Sequence, residues 1–202
     1  MKAERFLPTS TISSWIPQNP PILEYDVLNF TLSGNLTIRG NGTTMASIFK
    51  TSGSFAWDNH AYISTGYVAP CTIEFNKMAV SNYDNTLSYA MIGWNNDPTT
   101  DASYTSLNYA SYPFQGNAYY VYNNGTAVLS TGTWSRTSKF YVVYGTDGFI
   151  RHYNGATQLY NVNYGTAQTV YVDSSFYSPA AMFGGFSNIR VIKKAWNGTS
   201  YG

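Results

Sequence analysis

The stretch that most narrows the choice of folds is Phe140–Tyr160, FYVVYGTDGFIRHYNGATQLY. Phe140–Tyr144 is a run of β-branched and aromatic residues, the types that fit a pleated, half-buried surface. Thr146-Asp147-Gly148 interrupts it, and a glycine there supplies the positive φ of a tight reversal. Phe149–Tyr153 alternates Phe149, Arg151 and Tyr153 against Ile150 and His152. Asn154-Gly155 then predicts a hairpin turn of type I′, which needs positive φ at both central residues, and Thr157–Tyr160 returns. Three antiparallel strands with two glycine-bearing turns leave little room for a helical fold.

The rest of the chain repeats this style. Strands are expected at Ile22–Phe30, Asn35–Arg39, Thr43–Phe49, Ser54–Trp57 and Ala61–Ser64. Val68–Val80 alternates Thr72, Glu74 and Asn76 with Ile73, Phe75 and Lys77, the mark of one buried and one wet face. Leu87–Trp94 is nearly all apolar and belongs in the middle of a sheet. Asn95–Ser103 reads as a polar loop, Tyr104–Ala110 as a strand, and Ala118–Tyr122 with Thr126–Ser130 as a hairpin over Asn124-Gly125. Thr169–Val172 and Phe186–Lys194 close the series. No window of ten or more residues carries a helical period. Many short strands with turn chemistry between them predict an all-β chain, a two-sheet antiparallel sandwich over residues 22–195. Residues 1–21 form a proline-rich arm and 196–202 a short C-terminal tail. The arm admits two readings. It is either a draped leader or an extended segment docking on a neighbouring subunit through Phe6, Leu7, Trp15 and Ile16.

Charge decides which partners to expect. Only 10% of residues are charged and the net charge is +1, against about 25% charged in an ordinary domain. Phosphate binding needs clustered Lys and Arg, so nucleic acid is not expected. No stretch approaches the roughly 20 apolar residues of a helical span, and the first residues lack the apolar core of a secretory signal. Nineteen tyrosines stand among Asn, Ser, Thr and Gly instead. Tyr offers sugar C–H groups a flat face and sugar hydroxyls a hydrogen bond.

The segments Phe140–Tyr160, Met91–Trp94 (MIGW) and Val170–Lys194 (VYVDSSFYSPAAMFGGFSNIRVIKK) resemble the C-terminal half of concanavalin A-like jelly rolls, the lectin, laminin-G and glucanase relatives also found in phage tail fibres and viral surface proteins. The resemblance implies a two-sheet sandwich commonly used to bind glycans. Ser103–Tyr112 (SYTSLNYASY) with Phe114 and Gln115, rich in Tyr and Asn, has the amphipathic character of a contact loop. Trp94, Asn95, Tyr104, Tyr109, Tyr112 and Tyr153 are the candidate carbohydrate-binding residues, with Trp134 beside them.

Other chemistry fares poorly. The glucanase branch uses a Glu-x-Asp-x-(x)-Glu strand. Here Glu24-Tyr25-Asp26 leads to Asn29, which cannot donate a proton, and Glu74 has no carboxylate two residues away. No catalytic residue is assigned, and a polysaccharide-degrading enzyme stays as the lesser alternative. Asp97 and Asp101, with Asn95 and Asn96, are hard oxygen donors of the calcium-binding class. They make calcium the single cofactor worth testing, on a spacing that matches no lectin pattern. His60 and His152 stand alone in sequence, and Cys71 has no second cysteine to pair with. The expectation is a non-catalytic protein of a virion surface, as a minor capsid or fibre component. It would bind a host or cell-wall glycan, or the coat or fibre proteins of the same particle. The alternatives are a purely structural capsid component and an extracellular protein exported without a signal.

Overall fold

The computed structural model describes residues 23–78, 89–114, 117–178 and 184–202, with the side chains of 131 and 132 left aside. The arm with Phe6, Leu7, Trp15 and Ile16 lies outside the described residues, as do Ile22, Ala79, Val80, Leu87, Ser88 and Gln115. Among the described residues the strands are β1 (Phe30–Ser33), β2 (Leu36–Arg39), β3 (Ala46–Lys50), β4 (Asn59–Ile63), β5 (Cys71–Lys77), β6 (Ala90–Asn95) and β7 (Tyr109–Pro113). There follow β8 (Ala118–Asn123), β9 (Thr126–Thr133), β10 (Lys139–Tyr144), β11 (Phe149–Asn154), β12 (Thr157–Asn163), β13 (Tyr171–Phe176) and β14 (Gly185–Ile192).

They form two seven-stranded antiparallel sheets, a front sheet in the order β1-β4-β13-β6-β7-β8-β9 and a back sheet in the order β12-β11-β10-β5-β14-β3-β2. β6 is the central strand of the front sheet, where its apolar sequence belongs. The core lies between the sheets. Phe140 faces Phe75 in register, their rings stack at 5.4 Å, and Tyr119 reaches across from the front sheet to Phe140 at 5.1 Å. Trp94 Nε1 crosses the other way and donates to the Val142 carbonyl at 3.0 Å.

Local chemistry moved several expected boundaries. Glu24–Asn29 is not a strand: Tyr25 and Leu28 make single bridges, to Ile192 and Thr43, and β1 begins at Phe30. Ser54–Trp57 is a loop, because the Lys50 ammonium gathers its carbonyls. Tyr104–Ser106 is a 3₁₀ turn capped by Ser103, and the strand starts only at Tyr109. Asn154 pairs with Thr157, so the turn after β11 centres on Gly155-Ala156 with Gly155 at φ 57°. Glycine at the first central position is the pattern of type II′. The type I′ turn occurs instead at Asn124-Gly125, with φ of 47° and 72°. Residues 195–202 fold back on the outside of the back sheet. Trp196 stacks on Tyr141 at 4.5 Å, and Ala195 and Gly202 exchange backbone hydrogen bonds.

Candidate functional site

Side chains alternate across a strand, so each front-sheet strand that buries one row offers another outward. In β8, Tyr119 and Val121 face the core while Tyr120 and Tyr122 face out; in β7, Tyr109 faces the core while Ala110 and Tyr112 face out. β6 turns Met91 to the same outer face. Gly93 lets β7 come this close: a Cβ there would sit 1.8 Å from the Tyr109 carbonyl oxygen. The result is an aromatic plate on the outer front face. Tyr112 is its centre, at 5.9 Å from Trp57, 5.1 Å from Phe114 and 5.8 Å from Tyr122. Tyr104 closes the ring of contacts, 5.1 Å from Trp57 and perpendicular to Tyr122 at 5.6 Å. Tyr89 stacks on Phe114 at 5.0 Å, and Tyr177 lies 5.4 Å from Trp57. Tyr112 is buried and its phenol is pushed well above its usual range, first by burial and then by the neighbouring tyrosines. Trp57, Tyr104, Phe114, Tyr120 and Tyr122 are half-buried, so each keeps part of its surface open.

Two loops hold the plate. The first, between β3 and β4, carries Trp57 and the exposed Phe55. Lys50, at 0% exposure, sends its ammonium into it, donating to the carbonyls of Ser54 (2.8 Å), Ala56 (3.1 Å) and Tyr177 (3.2 Å) and to Asp58 Oδ1 (2.6 Å). Burial raises the Asp58 pKa, but the Lys50 hydrogen bond and charge outweigh it and hold it below the usual carboxylate value. The second loop, between β6 and β7, carries Tyr104. It is fixed by Ser175 Oγ donating to the Ala102 carbonyl, His60 Nδ1 against the Asp101 carbonyl at 2.7 Å, and Leu107, buried at 1% exposure. Beneath it lies Asp173, also 1% exposed, whose Oδ2 accepts from Asn95 Nδ2 at 2.8 Å. Burial pushes Asp173 up to about 7, against the pull of its bonds from Asn95 and the Ser174 backbone.

The fit to calcium can be tested on these oxygens. Asp97 Oδ1 accepts from Thr99 Oγ1 at 3.2 Å, Asp101 Oδ1 from the Ser103 amide at 2.8 Å, and Asn95 Oδ1 from the Asp97 amide at 3.3 Å. Each of these side chains gives one oxygen to the loop's own hydrogen bonds. Among the described residues no three His, Cys, Asp or Glu side chains gather as a metal-holding group. As arranged, the described loop brings no such set of carboxylates together around a calcium position.

The structure brings Tyr104 and Tyr112 together with Phe114, and separates the other sequence candidates. Trp94 is wholly buried between the sheets, so its ring has no face to offer a ligand. Tyr109 points into the same core, 5.0 Å from Tyr164. Asn95 is buried as the tie between Asp173 and the Asp97 carbonyl. Trp134 is core, donating to the carbonyls of Phe114 and Ala118 at 2.9 Å. Tyr153 sits on the opposite side of the molecule, its hydroxyl donating to Gln158 at 3.0 Å. His152 is a core residue pushed down to about 3 by burial, its Nδ1 2.9 Å from Ser111 Oγ, and Cys71 is core as well. Trp57, Tyr120, Tyr122 and Tyr177 escaped the sequence reading. The alternation in AYYVYN carried the signal for Tyr120 and Tyr122. For Trp57 there was none, since its place depends on a lysine seven residues away.

No protein-family model matches this sequence, and no curated protein matches it either. Solved structures do match in shape. The chain is similar to the SPRY domain of human HERC1 at 14% identity and TM-score 0.54, covering 84% of this chain and 97% of that one. It is similar to the carbohydrate recognition domain of Emp47p at 10% identity and TM-score 0.56, covering 81% and 88%. The exoplasmic/lumenal domain of VIP36, in a form bound to Ca2+ and Man2, matches at 7% identity and TM-score 0.56, covering 81% and 80%. At such identities the likeness shows the fold: a concanavalin A-like jelly-roll sandwich.

Proposed function

We propose that this domain is a non-catalytic, lectin-like binder of glycans, with the aromatic plate on the outer front face as its contact surface. The observation that carries the reading is the plate itself. Trp57, Tyr104, Tyr112, Phe114, Tyr120 and Tyr122 form one contiguous aromatic surface, on a domain whose shape is shared with the carbohydrate recognition domain of Emp47p and with a Man2-bound domain of VIP36. Half-buried phenols and an indole offer what a sugar needs, flat apolar faces beside hydroxyls. The rim is uncharged at Asn108 and Asn124, whose amides bond each other at 2.7 Å.

The finer part of the proposal puts the domain on the outside of an assembled particle, as a virion surface or minor capsid component that also touches neighbouring coat or fibre proteins. Its support is the chain's low charge, its tyrosine-rich outer face and the proline-rich segment ahead of the sandwich. A glycan array with the full chain tests the first part, and pull-down against particle proteins the second. Expected is saturable binding to at least one glycan, weakened about tenfold or more by Trp57→Ala or Tyr122→Ala. Silence on the array, or binding that survives both changes, overturns the glycan reading.

A further inference from the structure

The opposite side of the molecule holds a second built recess. On the outer face of the back sheet, the turn 195–202 and the strands beneath it frame an open recess of about 370 Å³, with Tyr25, Glu74, Lys139, Trp196, Thr199 and Tyr201 in its wall. That is near the lower end of small-ligand sites. One wall is aromatic and pre-set: Trp196 lies on Tyr141 at 4.5 Å and 14°, and Tyr201 meets Trp196 at 5.2 Å. Trp196 is fixed further by its Nε1 donating to the Gly155 carbonyl and its amide to Thr72 Oγ1, both at 3.2 Å.

The polar wall is unusual in its spacing. The Glu74 side chain is 3% exposed, and its Oε2 accepts from the Tyr201 hydroxyl at 2.7 Å. Its Oε1 lies 3.6 Å from both Lys139 Nζ and Arg190 Nη1, beyond hydrogen-bond length. The carboxylate oxygen therefore keeps acceptor capacity, and the half-exposed Lys139 ammonium keeps donors, across a gap that one hydroxyl can bridge. Thr199 Oγ1 gives its proton to Asn197 Oδ1 at 2.9 Å and retains its lone pairs. A cation would meet Lys139 and Arg190, and an anion would meet the Glu74 carboxylate held between them. A neutral hydroxyl serves both, donating to one and accepting from the other.

We infer that this recess is a second ligand site, for a neutral pyranoside ring that lays its C–H face on the Trp196 wall and bridges Glu74 and Lys139 with a hydroxyl. It lies across the core from the aromatic plate and stands or falls independently of it.

The test uses the full chain labelled with ¹⁵N, and follows the Trp196 indole resonance, identified by its loss in Trp196→Phe. The probes are methyl α-glucopyranoside, methyl α-mannopyranoside and methyl β-galactopyranoside at millimolar concentration, with glucuronate and glucosamine as charged controls. At least one neutral glycoside should move the Trp196 signal saturably. Lys139→Met should weaken that response about tenfold, and Trp57→Ala should leave it unchanged. The inference is overturned if no neutral glycoside moves the signal, if a charged control binds as well, if Lys139→Met binds undiminished, or if Trp57→Ala abolishes the response.

Discussion

Two buried ionisable side chains give the molecule opposite pH dependences. Lys77 is 4% exposed, its ammonium lies 5.0 Å over the Phe186 ring, and it has no hydrogen-bond partner among the described residues. Burial pulls it down to about 7 from 10.5. Between those values the unfolded chain holds a proton that the folded one lacks, so stability rises with pH from about 7 towards 10.5. Lys77→Met should remove that slope and stabilise the fold at pH 7 by on the order of 3–4 kcal/mol. Denaturant melts at pH 7 and 10 check this, and an unchanged slope refutes it. Asp173 runs the other way, pushed up to about 7 from 3.8. Its folded form holds the proton that the unfolded chain has lost, so stability falls as pH climbs from about 4 to 7. Asp173→Asn keeps an oxygen for Asn95 and should flatten that fall, measured by melts at pH 4 and 7.5. The alternation of Ile73, Phe75 and Lys77 already put the lysine on the core face of its strand. That no described residue receives its ammonium was not legible, because partners come from other elements.

At the scale of elements, the turns were the legible part and the loops were not. Glycine-bearing reversals appear at Gly125, Gly148 and, one residue late and as type II′, at Gly155, because positive φ leaves few alternatives to glycine or asparagine. The loop carrying Trp57 reads as a strand until Lys50 is seen to hold it. The Tyr104 segment reads as a strand until the Ser103 cap tightens it into a 3₁₀ turn. Two glycines separate backbone strain from tertiary contact. At Gly155, φ 57°, an added methyl would meet nothing within 4 Å, whereas at Gly125, φ 72°, it would meet the Thr105 backbone at 2.8 Å. Gly155→Ala should cost about 1–3 kcal/mol, the backbone strain of its positive φ alone. Gly125→Ala should cost more and displace the Tyr104 turn, weakening glycan binding as well. Equal costs in denaturant melts would remove the tertiary part. The same loop predicts that EDTA leaves glycan binding unchanged, since among the described residues no three His, Cys, Asp or Glu side chains gather there to hold a metal. A loss restored by added calcium would contradict this.

For the whole molecule, the sandwich fixes which aromatics can share a surface. Trp94 and Tyr112 looked equivalent in sequence, yet two sheets bury one and turn the other outward, and only strand alternation taken with the sheet order separates them. Lys50 is where the two sheets meet at the plate's edge. It leaves the back sheet from β3 and ties the Trp57 loop to the Tyr177 carbonyl just past β13 of the front sheet. Lys50→Met should leave three part-buried carbonyls and the half-exposed Asp58 without their donor, costing about 1–3 kcal/mol. It should also abolish glycan binding by releasing Trp57 from Tyr104 and Tyr112. Trp57→Ala removes the ring but keeps the clamp, so its loss of binding should come with a much smaller loss of stability. Calorimetric melts and glycan titration of both variants separate the two effects. A Lys50→Met protein that binds as tightly as the parent would show that the plate assembles without the clamp.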